Sequence, residues 1–128
     1  MLAAIALTVA TSSATPAAPP AIDDAIKQAA AAHRPLVIEF YTTWCGPCQI
    51  FDKGVLPLAE VQRAIGDVVF VRYDADTPLG REVAARYRID AYPTFVVLDR
   101  HGVETLRRRG GLSEQAFLEL VGEARKHW

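Results

Sequence analysis

Two cysteines flank Gly46-Pro47, and the pair follows closely on the apolar run Leu36-Val37-Ile38-Glu39-Phe40-Tyr41. A short, nearly continuous apolar run rich in β-formers is what a central strand covered on both faces requires. Pro47 suits an early helical position, where its missing N–H is no loss. The stretch from Leu36 to Cys48 therefore predicts a buried strand turning directly into a helix. A helix that starts at the carboxyl end of a strand sits at the end of an α/β sheet where functional sites form. The chain has two cysteines in 128 residues. The loop that a bond between them would close is too small to staple a fold, so their importance is chemical.

The remaining sequence organises around that turn. Lys plus Arg number 14 against 15 Asp plus Glu, a net charge of −1 with pI near 6.3. Such a balance supplies no broad basic field for a nucleic-acid backbone or an anionic membrane. With 51% hydrophobic residues, the chain is long and apolar enough for one globular domain. The first charged side chain is Asp23, and Leu2 to Ala10 is an apolar run followed by small residues from Thr11 to Thr15. Nine helical residues extend roughly 14 Å, about half of a hydrocarbon core. Residues 1–14 therefore read as a cleaved signal peptide rather than an anchor, although the usual basic start is missing. Residues 15–21, with Pro16, Pro19 and Pro20, read as a short stiff tether that carries no chemistry. The folded domain is then 22–128.

Within that domain, apolar positions recur at helical spacing from Asp23 to His33, and Pro35 ends the helix. The cysteine-containing helix runs through Ile50 and Phe51, breaks around Gly54 to Pro57, and resumes to about Ile65. Val68–Val71 reads as a strand and Leu79–Tyr87 as a helix. Thr94–Leu98 and Val103–Arg107 form a hairpin, and Ser113 opens a terminal amphipathic helix. A β-α-β crossover joins parallel strands while a hairpin pairs antiparallel ones. The expected architecture is an α/β sandwich with a mixed four-stranded sheet, a five-stranded sheet being the alternative, flanked by helices.

Cys45 and Cys48 lie three apart, on one side of a helix, where their sulfurs can approach within bonding distance. Cys45 would sit at the helix N-terminus, where unpaired N–H groups and the macrodipole favour a thiolate, which makes it the nucleophile. Cys48, one turn in, would resolve the mixed disulfide. Gly46 removes bulk where a partner chain must come close, and Trp44 offers a flat apolar wall. A CxxC pair can also be half of a zinc site. The chain supplies only His33, His101 and His127 as further ligands of that kind, at no useful spacing, so no metal is expected.

Trp44-Cys45-Gly46-Pro47-Cys48 is similar to the active-site motif of the thioredoxin superfamily. Tyr92-Pro93-Thr94 resembles the cis-proline loop that faces the CxxC in that family, and Gly102 and Gly110 also match family positions. The resemblance spans about residues 23–126 and implies a thioredoxin fold, with the Cys45–Cys48 disulfide as its redox centre. It further implies that Pro93 is cis and that Tyr92, Pro93 and Thr94 join Trp44, Gly46 and Pro47 in holding an extended substrate strand. The break around Gly54–Pro57 makes the chain look more like exported relatives such as the C-terminal domain of DsbD-type reductases.

Glu39 is the anomaly in its strand. A carboxylate there either points to water or is buried with a raised pKa. Its position, six residues before Cys45, matches the buried acid of thioredoxin-like proteins, which implies general acid–base work on Cys48. The resulting expectation is an exported, periplasmic, monomeric protein disulfide oxidoreductase, with Cys45, Cys48 and Glu39 as catalytic residues. CGPC favours a reductase, recharged by an upstream thiol–disulfide electron donor and acting on cysteine-containing proteins. The alternatives are a disulfide oxidase or isomerase, or a non-catalytic binding module. No nicotinamide, flavin or metal motif is present, so no cofactor beyond the disulfide is expected. Arg107-Arg108-Arg109 reads as a solvated strand end, and Asp74 and Asp76 as a helix-start signal. The three histidines read as surface residues, and Trp128 is either frayed or packed back.

Overall fold

The structure, a computed structural model, describes residues 17–128. The proposed signal peptide and the first two tether residues lie outside these. Strand β1 (Leu36–Tyr41) is central, as its apolar run requires. It pairs in parallel with β2 (Val69–Asp74) and antiparallel with β3 (Thr94–Leu98), which pairs antiparallel with β4 (Glu104–Arg109). The order β2-β1-β3-β4 is the expected mixed sheet, with four strands among the described residues. The five-stranded alternative is not realised there, since Ala17–Ala21 adopts no strand. Proline has no N–H with which to extend a ladder, and two of these five residues are proline.

Two strands run further than their apolar stretches. Strand β2 runs on through Arg72, Tyr73 and Asp74, because an edge strand tolerates charged residues that a purely apolar reading cuts off. Strand β4 likewise takes in Arg108 and Arg109. Arg107 hydrogen-bonds Glu104 and the Tyr87 carbonyl, and Arg109 pairs with Asp90. The β3–β4 turn is tied by the Asp99 carboxylate, which accepts from the N–H groups of His101 and Val103, while Gly102 takes φ +75°.

Among the described residues five helices cover the two faces: α1 (Ile22–Ala32), α2 (Gly46–Gly54), α3 (Ala59–Ile65), α4 (Pro78–Arg86) and α5 (Glu114–Lys126). The break between α2 and α3 falls where Pro57 predicts it. Helix α4 is capped by the Thr77 hydroxyl and α5 by the Ser113 hydroxyl. Alternation along β1 divides the core. Leu36, Ile38 and Phe40 join Val71, Tyr73, Val96 and Leu98 beneath α1 and α4. Val37 joins Phe51, Val61, Phe95, Val97, Phe117 and Leu120 between the sheet and α2, α3 and α5. Trp128 packs back onto the domain, with the Arg100 guanidinium 5.5 Å above its ring. His33, His101 and His127 are exposed.

Candidate active site

At the carboxyl end of β1 the chain turns through Thr42, Thr43 and Trp44 into α2, and Cys45 occupies the cap position. Cys45 and Cys48 form a disulfide with a Cα–Cα distance of 5.2 Å. The Cys45 Sγ accepts from the Cys48 N–H at 3.2 Å, the bond that a Ser or Asp oxygen makes at other helix starts. Both cysteines are buried. Beside Gly46 there is open space where a side chain would stand, so a partner backbone can approach. Pro47 lies in the first turn of α2, where no N–H is needed.

The other elements converge on this pair. The Tyr92–Pro93 peptide bond is cis, and the Tyr92 carbonyl oxygen lies 3.4 Å from Cys45 Sγ. Thr94 begins β3 and donates its hydroxyl to the Ala91 carbonyl, fixing the loop. On the other side of this loop the Gly110 N–H donates to the Pro93 carbonyl at 2.7 Å, from a backbone with φ +94° that favours glycine. Trp44 is 69% exposed, its indole N–H donating to Asp76 Oδ2 at 2.8 Å and its ring set edge-on to Tyr92. Asp76 thus anchors Trp44, while the helix start belongs to Thr77. Ile50, 72% exposed on α2, borders an apolar hollow with Pro47, Leu112 and Gly111. It was legible as an apolar residue out of phase with the inward stripe Cys48, Phe51 and Val55.

Glu39 is fully buried, so the solvated alternative is excluded. The parallel register sets it directly beside Arg72, whose Nε donates to Glu39 Oε2 at 2.5 Å. A second Arg72 nitrogen donates to Asp52 Oδ1 on α2, and the guanidinium carbon stands 4.5 Å from the Tyr41 ring centre. One cation therefore serves two carboxylates. Burial raises the Glu39 pKa to about 7, although the hydrogen bond and charge of Arg72 pull it down; the nearby Asp52 charge adds to the rise. Burial opposes the charge on Arg72, but the two carboxylates more than offset it and hold the guanidinium protonated. Glu39 Oε1 has no hydrogen-bond partner among the described residues. Cys48 and Asp52 are four apart on α2, hence one turn apart on one face. The acid–guanidinium–acid cluster is thus tied to the helix one turn below Cys48. Arg72 and Asp52 were not legible as site residues, since their meeting depends on strand register and helix docking.

Comparison with known proteins fits this geometry. A family model described as "Thioredoxin-like domain" matches residues 22–125. The chain is 34% identical over 93 residues to "Thioredoxin Y, chloroplastic" of Oryza sativa subsp. japonica, covering 73% of this chain and 52% of that protein. It is 30% identical over 98 residues to "Thiol:disulfide interchange protein DsbD" of Pseudomonas sp. (strain JR1 / K1), covering 73% of this chain and 17% of DsbD. The chain therefore spans about half or less of the length of these two relatives. The solution structure of a thioredoxin from Thermus thermophilus superposes with a TM-score of 0.69 at 30% identity, covering 79% of this chain and 81% of that one. With the matched domain extending over nearly all of the described residues and the disulfide-bonded CXXC at its expected place, the chain belongs to the thioredoxin-like family.

Proposed function

We propose that this protein exchanges its Cys45–Cys48 disulfide with cysteines of other proteins, acting as a reductase outside the cytoplasm. The observation that carries this reading is the position of Cys45 Sγ, which caps α2 and lies beside the Tyr92 carbonyl next to an open apolar rim. A sulfur at a helix N-terminus is stabilised as thiolate by the N–H groups aimed at it. In the reduced protein the Cys45 thiolate attacks one sulfur of a partner disulfide, and the other partner sulfur leaves as a thiolate that takes up a proton. The Cys48 thiol gives its proton to the Glu39 carboxylate and attacks Cys45 Sγ. The second partner sulfur then leaves, two electrons have passed to the partner, and Cys45–Cys48 is again a disulfide. Trp44, Gly46, Pro47 and Tyr92 form the surface along which the partner strand lies, and Pro93 and Thr94, both buried, hold the loop beneath it. An upstream dithiol returns the electrons.

The CGPC sequence supports the reducing direction, and the apolar leader of residues 1–14 supports export to a bacterial periplasm. The mature protein works as a monomer, and no helix among the described residues is long and apolar enough to cross a membrane. Equilibration against a defined thiol buffer tests direction: a reductase gives a potential near the thioredoxin level of about −270 mV, whereas −180 to −120 mV identifies an oxidant or isomerase. Cys48→Ser should accumulate mixed disulfides with substrates in the native compartment. A protein whose function survives loss of both cysteines is a binding module, and the proposal fails.

A further inference from the structure

Residues Ala17–Ala21 read in sequence as an inert tether, but the fold gives them a position. The Tyr73 hydroxyl, at the end of a side chain buried in the α1–α4 layer, donates to the Pro20 carbonyl at 2.7 Å. Burial pushes the Tyr73 pKa up to about 12, so it remains a donor. From that pin the chain runs beside the edge strand β2, where Ala17–Pro20 border a hollow with Tyr41, Phe70, Val71 and Arg72. Ala18 and Pro19 also wall a second cavity, of about 440 Å³, with Tyr41, Arg72, Thr77 and Leu79. Arg72 and Asp52 are the outer members of the Glu39–Arg72–Asp52 cluster, their side chains 28% and 31% exposed while that of Glu39 is wholly covered. The segment therefore stands on the Arg72 flank, one of the two sides from which water reaches the cluster, the other being Asp52 on α2.

We infer that Ala17–Ala21 is a strap, pinned by Tyr73, that limits hydration of the Arg72 flank, and that Tyr73 and Pro20 thereby act as positioning residues for Glu39 in disulfide exchange. This rests on the role proposed for Glu39 above. The charged and titratable groups facing Glu39 are Arg72 from β2, Asp52 from α2 and Tyr41 from β1, and Cys48, one turn from Asp52, is held in the disulfide. From β3 its partner is the uncharged Phe95, and the strap itself carries no charge. Freeing the strap thus changes solvation rather than the charge of any side chain beside Glu39. Burial is the largest influence on Glu39, so hydration lowers its titration midpoint even though it also weakens the pull of Arg72.

The test is the Glu39 carboxyl titration, followed by carbon-13 NMR in the oxidised protein, where the cysteines do not titrate. Two variants act at opposite ends of the pin. Tyr73→Phe removes the hydroxyl and keeps the ring, while Pro19→Gly with Pro20→Gly loosens the strap and leaves the core untouched. Both should lower the midpoint by about half a pH unit or more. An unchanged midpoint in both overturns the inference. A shift in Tyr73→Phe alone shows that the hydroxyl acts through the core, and a shift in the glycine variant alone shows that Tyr73 is not the pin; either overturns the assignment. Exchange rates measured across pH separate this from the functional reading. If the midpoint falls but the rate profile stays in place, the strap controls hydration while the role of Glu39 in exchange is lost.

Discussion

The face of β1 that points to α1 and α4 and the face that points to α2 are buried alike, yet the first carries Leu36, Ile38 and Phe40 where the second carries Val37 and Glu39. On the first face burial is favourable for every group. On the second a carboxylate is kept from water with only part of its hydrogen-bonding capacity met, an arrangement that costs stability. The same strand, with the same pairing partners, thus carries a packing surface and a chemically poised one. The difference shows where the molecule retains an unfavourable term: beneath the helix that holds the disulfide.

Substitutions separate the two faces. The largest effect should come from Cys45→Ser, which touches neither and should abolish exchange in a thiol-transfer assay while circular dichroism shows the fold intact. On the apolar face Phe40→Ala removes a ring stacked on Tyr73. It should lower unfolding free energy by about 3–5 kcal/mol in urea titrations, with the rate–pH profile of the folded fraction unmoved. On the other face Glu39→Gln should alter pH dependence instead. Between pH 4.5 and about 7 the folded protein holds a proton that the unfolded chain has released, so native stability should fall as pH rises through this window. The loss is on the order of 3 kcal/mol, present in full above the window, and Glu39→Gln should flatten that slope. Arg72→Met should have the smallest effect on stability, about 1–3 kcal/mol given its part exposure, because it strips the cation from two carboxylates. It should also push the Glu39 midpoint above about 7, readable by NMR titration. A rate–pH profile moved equally by Phe40→Ala and Glu39→Gln would erase the contrast between the faces.

Sequence patterns revealed the two faces unequally. The span of β1, the break before α3 and the hairpin turn could be read directly, because apolar periodicity, Pro57 and Gly102 act locally. The cysteine pair was equally plain, and the resemblance supplied the cis bond at Pro93. What escaped was the surroundings of Glu39. Arg72 lies 33 residues away and is brought alongside by the parallel register. The apolar criterion that ended β2 at Val71 left it outside any element. Asp52 needed the docking of α2, and Asp76 was read as opening α4 although Thr77 does so and Asp76 holds Trp44. Local signals report what a residue does to its own segment, whereas these side chains act on another.

The bond from the Cys48 N–H to Cys45 Sγ joins two properties usually discussed apart. Whatever frays the first turn of α2 withdraws the donor that steadies negative charge on that sulfur, and so makes the thiol less acidic. Conversely, releasing the proton from Cys45 strengthens the start of the helix. Acidity at residue 45 and helical order over residues 46–54 are therefore one linked equilibrium, and a partner that tugs on Trp44 or Gly46 adjusts sulfur reactivity without approaching the sulfur itself.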